Sequence, residues 1–222
     1  MVDKYKIYEK LPIIMLLGAT TGWVDALTFQ YHNERFAAFQ TGNIIQVGIN
    51  IAHLDWARVL SYLLPIIFFA LGAGLNYLIK TFWKNPKIQW QQVSLFIQAI
   101  GIVLVTIFEN KISSDLFIAI LAMFMAFQAD SFVKLNGLPI TTVFSTGNLK
   151  NLGANLMAGI VNNDDKALKI AGNIFWVILS FSFGAAASIL LTKEFGHWTM
   201  IGASILLLIV LTAISFENRK KS

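Results

Sequence analysis

Long apolar runs alternate with short polar stretches along the chain, and the polar stretches hold most of the charged residues. A helix needs about 20 apolar residues to cross the ~30 Å hydrocarbon core of a bilayer. Six runs meet this length and predict membrane-spanning helices over approximately 11–31, 57–79, 91–109, 112–134, 169–191 and 197–216. Two weaker segments, 36–53 and 141–160, contain amides and a Thr-Gly-Asn triplet, and whether they also cross decides the topology.

The composition is that of a membrane protein. Hydrophobic residues make up 56% of the 222 positions, mean hydropathy is +0.65, and 13% of the residues are charged. A soluble domain of this size cannot bury so much apolar surface, so the predicted class is an all-α polytopic membrane protein. The chain has no cysteine and its three histidines lie far apart, so we expect neither a metal site nor a cofactor.

Basic residues indicate how the helices are oriented. With a cytoplasmic N-terminus and six crossings, 13 Lys and Arg residues lie inside and 4 outside. This bias largely fades if the two weak segments also cross. We therefore predict six transmembrane helices plus two re-entrant or half-crossing helices, in a multi-pass protein of the cell (cytoplasmic) membrane with both termini cytoplasmic. The basic clusters then reflect orientation, and no nucleic-acid-binding module is predicted.

The chain repeats itself at an interval of 105 residues. The matched pairs are Asp25 with Asp130, Phe39 with Phe144, the Thr-Gly-Asn triplets at 41–43 and 146–148, Gly48 with Gly153, and Asn50 with Asn155. We interpret 1–111 and 112–222 as two repeats that form one membrane domain, each with three spans and one half-helix. Three spans per half make the second repeat inverted relative to the first, whereas four would make the repeats parallel.

Each Thr-Gly-Asn (TGN) triplet has the residue types expected where a helix begins inside the membrane. The threonine hydroxyl can cap the helix N-terminus, and the glycine permits a bend in the extended chain before it. A helix of about 13 residues rises only ~20 Å, so its unpaired N–H groups would lie near the bilayer midplane. Such a break is tolerated only where it is buried in protein or lines a wet cavity.

Amide side chains follow each triplet on one helical face. They are Asn43, Gln46 and Asn50 in the first half, and Asn148, Asn151 and Asn155 in the second. This face lies either along a solute pathway or against a partner helix, because amides and small residues also hold membrane helices together. The predicted substrate-binding residues are Thr41, Gly42, Asn43, Gln46, Thr146, Gly147, Asn148 and Asn151.

Asp25 and Asp130 lie within predicted membrane spans. A carboxylate there costs at least about 2.5 kcal/mol, which makes both residues candidates for proton or ion coupling. The competing role is structural, since either carboxylate can cap the free N–H groups of a TGN half-helix. The two roles are compatible if protonation releases the cap.

Small residues indicate where the helices pack most closely. Gly18 and Gly22 lie four residues apart in the first span, and Gly184 and Ser188 have the same spacing in the fifth. This small-x-x-x-small pattern is typical of helices whose backbones approach each other closely.

The stretches GWVDALTF, FAAFQTGNIIQVGINIA, FQADSF and LPITTVFSTGNLKNLGANL resemble the DUF1275 family, also called the YoaK or UPF0700 transmembrane proteins. The shared pattern is G-x-x-D-A in the first span, T-G-N before an apolar residue, and a second T-G-N in the latter half. The resemblance covers nearly the whole chain and implies a bacterial-type integral membrane protein, in agreement with the six runs. It implies no substrate, and Ser131 after Asp130 departs from the family's usual residue pair.

These observations predict a membrane transporter or channel for a small polar or anionic solute, with or without proton coupling. Its site would lie between the N-termini of the two TGN half-helices. The alternative is a non-transport structural or regulatory membrane protein. An enzyme is not expected, because no catalytic nucleophile–base pair or metal set is present in the sequence. The expected partners are the lipid bilayer and an unknown small solute, and the chain is either a monomer with a complete pathway or a homodimer.

Overall fold

The computed structural model describes residues 5–143 and 145–221, and nearly all of the secondary structure in this part of the chain is helical. Lys4 and Phe144, which enter the charge count and the repeat, lie outside the described residues, as do the side chains of residues 219–221. The α-helices are α1 (Leu11–Tyr31), α2 (Gln40–Ala52), α3 (Trp56–Phe82), α4 (Trp90–Ile107), α5 (Ser114–Ser131), α6 (Ser145–Asn162), α7 (Asp165–Phe195) and α8 (Ile201–Lys221).

Short elements connect several of these helices. Single 3-10 turns occupy Ile7–Glu9, Glu109–Lys111 and Gly196–Met200. Strands β1 (Lys134–Leu135) and β2 (Leu138–Pro139) pair in an antiparallel hairpin after α5. The sequence pattern predicts a membrane span up to residue 134 and extended chain before the second TGN triplet.

The predicted all-α membrane class is confirmed at the level of the helices. The described residues contain five helical segments long and apolar enough to cross a membrane: α1, α3, α4, α5, and Asp165–Asn218, which includes α7 and α8. α2 has 13 residues and α6 has 18, and these lengths correspond to rises of about 20 and 27 Å. α2 is therefore too short to cross the hydrocarbon core by itself.

Helices α1 and α7 lie side by side and run in the same direction. A Cβ atom added to Gly18 would lie 3.3 Å from the carbonyl oxygen of Val177. One added to Gly22, one turn later, would lie only 2.0 Å from the carbonyl oxygen of Phe181. Because both partners advance together, the two helices are parallel. The close packing predicted at these glycines is confirmed, since Gly22 has no room for a side chain and a Cβ atom at Gly18 would require its neighbours to shift slightly.

Helices α3 and α5 form a second parallel pair. Near their first turns, the Ser61 hydroxyl donates to Oδ1 of Asp115 at 2.8 Å. Near the last turn of α5, Nδ2 of Asn76 donates to Oδ2 of Asp130 at 2.8 Å. Gly72 lies between these contacts, and a Cβ atom added there would lie 2.1 Å from the α5 backbone.

The helices that begin the two halves, α1 and α5, run in opposite directions. Near the start of α1, the carbonyl oxygen of Leu17 accepts a hydrogen bond from Nε2 of Gln128, close to the end of α5, at 2.9 Å. Just after the end of α1, Nδ1 of His32 lies 2.9 Å from the hydroxyl of Ser114, the first residue of α5.

Helices α4 and α8 are also antiparallel. The amide of Gln92, near the start of α4, donates to the hydroxyl of Ser215 at 2.8 Å. Further along α4, the carbonyl oxygen of Ala99 accepts from the hydroxyl of Ser204 at 3.0 Å. In addition α8 packs against α1, and α4 packs against α5. The contacts between the halves thus occur in matching pairs, α1–α7 with α3–α5 and α1–α8 with α4–α5.

The core lies between α1, α5 and the helices around them, whereas α2 and α6 are peripheral. Fully buried apolar side chains of α1 and α5 include Ile14, Leu17, Val24, Ile118, Leu121 and Met125. Exposed apolar side chains of α2 and α6 include Ile44, Ile45, Ile49, Leu149, Met157 and Ile160. In a bilayer these outward apolar faces lie against lipid.

Local sequence explains the tight turns before α3 and α7. Leu54 (φ 55°) and Asn163 (φ 50°) have left-handed backbone conformations that reverse the chain. The next residues, Asp55 and Asp164, each accept hydrogen bonds from N–H groups in the first helical turn. These carboxylates accept hydrogen bonds from backbone N–H groups that have no partner within the helix at its N-terminus.

The bundle has two polar ends. α1, α4 and α7 begin at one end, and α3, α5 and α8 finish there. We call this the basic end, because it holds eight of the described lysines: Lys6, Lys10, Lys80, Lys84, Lys87, Lys134, Lys166 and Lys169. The opposite end, the far end, holds four of the described basic residues, namely Arg35, Arg58, Lys111 and Lys193, and Lys150 within α6 is counted at neither end.

Gly184→Ala is expected to destabilise the protein, because the added Cβ would lie 2.0 Å from the carbonyl oxygen of Ala19 and force α7 away from α1. Overpacking of this kind costs about 1–3 kcal/mol, which thermal unfolding in detergent micelles would register as a lower midpoint. Gly172→Ala on the same helix is the matched control, since nothing lies within 4 Å of a Cβ added there. Equal midpoints for the two variants would contradict the close packing of α1 and α7.

Candidate functional site at the two TGN segments

The segment between α1 and α2 carries the first TGN triplet into the bundle. Asn33 (φ 57°) and Glu34 (φ 58°) adopt left-handed conformations that reverse the chain after α1. The buried carboxylate of Asp25 accepts hydrogen bonds from the N–H groups of Ala38, at 2.7 Å, and Phe39, at 3.1 Å. Asp25 therefore pairs backbone donors just before α2, which have no partner within a helix.

The expected N-cap at Thr41 and the expected bend at Gly42 are wrong. α2 begins at Gln40, so both residues lie inside its first turn, and Thr41 is exposed. The physical reason is that both carboxyl oxygens of Asp25 already accept the N–H groups directly before the helix, so the chain there is held without the threonine hydroxyl. Gly42 instead makes room for an aromatic ring, because a Cβ added there would lie 2.9 Å from the ring of Phe36.

The second TGN triplet also lies inside a helix. α6 begins at Ser145, so Thr146 and Gly147 belong to its first turn, and both are exposed. The bend expected at Gly147 is therefore wrong as well. In both halves the triplet is part of the helix and does not precede it.

The TGN asparagines make the same backbone clamp in both halves. Nδ2 of Asn43 donates to the carbonyl oxygen of Phe36 at 2.7 Å, and Oδ1 accepts from the N–H of Phe36 at 3.1 Å. Asn148 makes the same two bonds with Thr141, at 2.7 and 3.3 Å. Phe36 and Thr141 are separated by 105 residues, the interval of the sequence repeat. The duplicated clamp supports the repeat and explains why both asparagines are buried.

The rest of the amide face is only partly hydrogen-bonded. Asn50 and Asn155 each donate to the backbone carbonyl oxygen one turn earlier, at 2.8 and 2.7 Å. The side chains of Gln46 and Asn151 are half-buried and form no hydrogen bond with another described residue. Among the predicted site amides, these two are therefore available to a ligand.

Asp130 has a different environment from Asp25. It is half-buried and accepts a hydrogen bond from Nδ2 of Asn76 at 2.8 Å, and the same amide donates to the hydroxyl of Ser131 at 3.1 Å. α5 ends at Ser131, whereas α1 continues well beyond Asp25. The hairpin that follows α5 is held by Glu9, whose carboxylate accepts from the N–H of Gly137 at 3.0 Å.

The structure does not bring the two TGN segments against each other. α2 packs on α3 and α6 packs on α7, and α2 and α6 make no extensive contact. The contact between Leu17 and Gln128 sets the register of α1 and α5, which separates Asp25 from Asp130 by about 15 Å along the bundle. The predicted site residues form two separate groups, and their roles in binding stay predictions.

A large cavity opens at the basic end, between α6, α7 and the hairpin. Its volume is about 890 Å³. The polar residues that line it are Asn136, Asn151, Asn155, Lys166, Lys169 and Asn173, with no Asp or Glu among the lining residues. Asn151 is the predicted site residue that reaches this cavity.

A smaller cavity of about 420 Å³ lies at the far end, against Arg35. Arg35 is only 1% exposed despite its charge. Its guanidinium donates to the carbonyl oxygen of His32 at 3.0 Å and to the hydroxyls of Ser61 at 2.6 Å and Ser114 at 2.9 Å, and it pairs with the carboxylate of Asp115. We call these five residues the Arg35 cluster, and they tie the end of α1 to the starts of α3 and α5.

The positive-inside pattern predicts Arg35 as one of the four charges outside the membrane, and it does not predict this cluster. Ser61 is 26 residues from Arg35 and Asp115 is 80 residues away, so no local spacing connects them. The one available signal was the position of Arg35, directly before an apolar segment.

The long apolar helices, the outward apolar faces and the polar segments held inside the bundle define a helical protein of membrane type. The family model described as "Protein of unknown function (DUF1275)" matches residues 13–213, and the chain belongs to this family. No curated protein and no solved structure matches the chain. The resemblance noted in the sequence is thereby confirmed, and the function has to be argued from the site.

Asn43→Ala is expected to destabilise the protein, because it leaves the N–H and carbonyl groups of Phe36 without the partner they have in the bundle. A buried polar group without a partner costs about 1–3 kcal/mol. Thermal unfolding in detergent should therefore show a lowered midpoint. Gln46→Ala, one turn further along α2, is the control because its side chain bonds to no described residue. A midpoint for Asn43→Ala as high as that of Gln46→Ala would show that the clamp does not stabilise the fold.

Proposed function

We propose that this protein is a transporter or channel that moves a small anionic solute across the cytoplasmic membrane. The observation that carries the proposal is the cavity of about 890 Å³ at the basic end, where Asn151 of the second TGN helix meets Lys166 and Lys169. Cavities of about 300–1,000 Å³ are typical of small-molecule sites. A cavity that holds amide and ammonium groups and reaches an interrupted helix inside the bundle is what a solute pathway requires.

The lining of this cavity favours an anion. Lys166 and Lys169 are exposed and form no ion pair with described residues. Asn151 and Asn173 add side-chain N–H donors next to them. Ammonium groups and amides bind carboxylate or phosphate oxygens well, whereas a cation would meet two like charges.

We infer six crossings arranged as two inverted repeats. The support is the direction of the helices: α1 and α5, which begin the two halves, are antiparallel, while α1 with α7 and α3 with α5 are parallel. If α7 and α8 each cross, the six crossing helices in chain order are α1, α3, α4, α5, α7 and α8. The first (α1) and the fifth (α7) then point the same way, as do the second (α3) and the fourth (α5). Each half then has three crossings, and the second half is inverted.

We also infer that the basic end faces the cytoplasm. Eight described basic residues lie at that end and four at the far end, and cytoplasmic loops of membrane proteins carry the excess of Lys and Arg. α1 begins and α8 finishes at the basic end, so both termini are cytoplasmic in this orientation.

Asp25 and Asp130 are the candidates for proton or ion coupling in this proposal. The carboxylate of Asp25 holds the N–H groups of Ala38 and Phe39, and protonation would weaken both bonds because a neutral acceptor binds less strongly. The position of the first TGN segment would then depend on the charge of Asp25.

The second candidate function is that of a non-transport structural or regulatory membrane protein. The first TGN segment favours this alternative. The hydrogen bonds of Asp25, Gln40 and Asn43 are all formed with the protein's own backbone or with each other. On this alternative, substitution at these positions changes stability or assembly and no solute flux.

Proteoliposomes containing the protein are expected to take up a small anion from a panel of carboxylates, phosphate, neutral solutes and cations. Lys169→Ala should raise the concentration for half-maximal uptake, because a hydrogen bond to a charged group contributes about 1.5–3 kcal/mol, a roughly tenfold or larger effect. Lys193→Ala is the matched control, since this exposed lysine lies on the same helix at the far end.

Two outcomes would contradict the transport proposal. The first is the absence of protein-dependent flux for every member of the panel. The second is flux that Lys169→Ala and Lys193→Ala reduce equally, because the basic cavity would then have no special part in it. Flux of cations alone would contradict the anionic class of solute.

A further inference from the structure

The two cavities at opposite ends of the bundle occupy equivalent places in the two halves. The 105-residue interval relates the chain after α1 to the chain after α5, and an interval of 112 residues aligns Gly72 of α3 with Gly184 of α7. The residues lining the smaller cavity are Asn33, Glu34, Arg35, Arg58, Ser61 and Tyr62. Their counterparts, in the same order, are Leu138, Pro139, Ile140, Ile170, Asn173 and Ile174, and all of them line the larger cavity.

The equivalent cavities differ in volume and in the residues that line them. The one at the basic end has a volume of about 890 Å³ and is lined by Asn151 and Asn155 of α6. The one at the far end has a volume of about 420 Å³, and its lining does not include the counterparts Gln46 and Asn50 of α2. One half therefore exposes the amide face of its TGN helix to a cavity, and the other half does not.

The Arg35 cluster accounts for the difference. At the far end, Arg35 joins the chain after α1 to Ser61 of α3 and Asp115 of α5. Its counterpart at the basic end is Ile140, an apolar side chain that cannot form these bonds. The same place in the fold is consequently closed by an ion pair in one half and left open in the other.

We propose that the two cavities are the alternately open ends of one pathway and that the Arg35 cluster is the latch that closes the far end while the basic end is open. In the second state the latch is broken, the far cavity enlarges to reach the amide face of α2, and the basic-end cavity contracts. This inference rests on the proposed function, because an exchange between two equivalent cavities is the means by which inverted repeats carry a solute. Packed interfaces of this kind switch between discrete arrangements.

The latch has the physical properties that opening requires. The side chain of Asp115 is 46% exposed while that of Arg35 is 1% exposed, so one partner of the pair is already in contact with water. The adjacent cavity is lined by polar groups, including Arg58 and Tyr62, and can supply water to the guanidinium when the pair separates. A fully enclosed ion pair would instead leave an unpaired buried charge on opening.

The chain has no cysteine, so single introduced cysteines can report both cavities. Tyr62→Cys marks the far cavity, where Tyr62 is 7% exposed, and Asn173→Cys marks the basic-end cavity. Each is labelled with a maleimide in nanodiscs, where both faces of the protein are accessible. Adding Asp115→Asn should raise the labelling rate of Tyr62→Cys and lower that of Asn173→Cys. The ratio of the two rates should change by roughly tenfold if the latch contributes a tenfold bias to a two-state equilibrium.

The control is Asp55→Asn, which also replaces a carboxylate by an amide at the far end but affects the exposed pair with Arg58. It should leave both labelling rates unchanged. Faster labelling of Tyr62→Cys with unchanged labelling of Asn173→Cys would indicate local loosening and overturn the inference, as would no change at either position. If Asp115→Asn does not fold, Ser61→Ala, which removes one partner of Arg35, is judged by the same reciprocal criterion.

The labelling experiment tests the latch and the uptake experiment tests the transport function, so either proposal can be overturned without the other. Reciprocal labelling in a protein that moves no solute would support the exchange of the cavities and overturn the transport function. Solute flux without reciprocal labelling would support transport through a pathway that does not alternate, and it would overturn the latch.

Discussion

The constraint on which this structure depends is that backbone N–H and carbonyl groups inside a membrane must find partners within the protein. Each half of the chain interrupts its helices at a TGN segment and so leaves such groups free. The first half supplies the partners from its own side chains, with Asp25 bonded to two N–H groups and Asn43 clamped on Phe36. Asn148 makes the same clamp in the second half.

Because the chain carries this segment twice, at an interval of 105 residues, the interrupted helices occur at both ends of the bundle. Because α1 and α5 are antiparallel, equivalent segments lie at opposite ends, and the same fold builds two related cavities. The two ends are nevertheless not alike: Arg35 stands where the second half has Ile140. Arg35 therefore joins α1, α3 and α5 at the end with the smaller cavity, whereas Ile140 cannot form such bonds at the end with the larger one.

The amide faces of the two TGN helices separate the roles that the residues can play. An amide that is fully bonded to backbone holds the fold and is not available to a solute, which describes Asn43 and Asn148. An amide without a protein partner next to lysines is suited to bind an anion, which describes Asn151 beside Lys166 and Lys169. Structural and functional interpretations of the TGN motif are thus assigned to different residues of one short segment.

Local patterns were sufficient for the class of protein, for α1 at residues 11–31, for the repeat, and for the close packing at Gly22, because hydropathy and spacing act between near neighbours in the chain. They left open whether Asp25 caps the N–H groups before α2 or couples protons, and they did not predict that Arg35 would meet Asp115. Those contacts join residues 13 to 80 positions apart, and only the packing of α1, α3 and α5 brings their atoms within bonding distance. Long-range hydrogen bonds and the closing of a cavity depend on which helices become neighbours, and that is a property of the folded bundle.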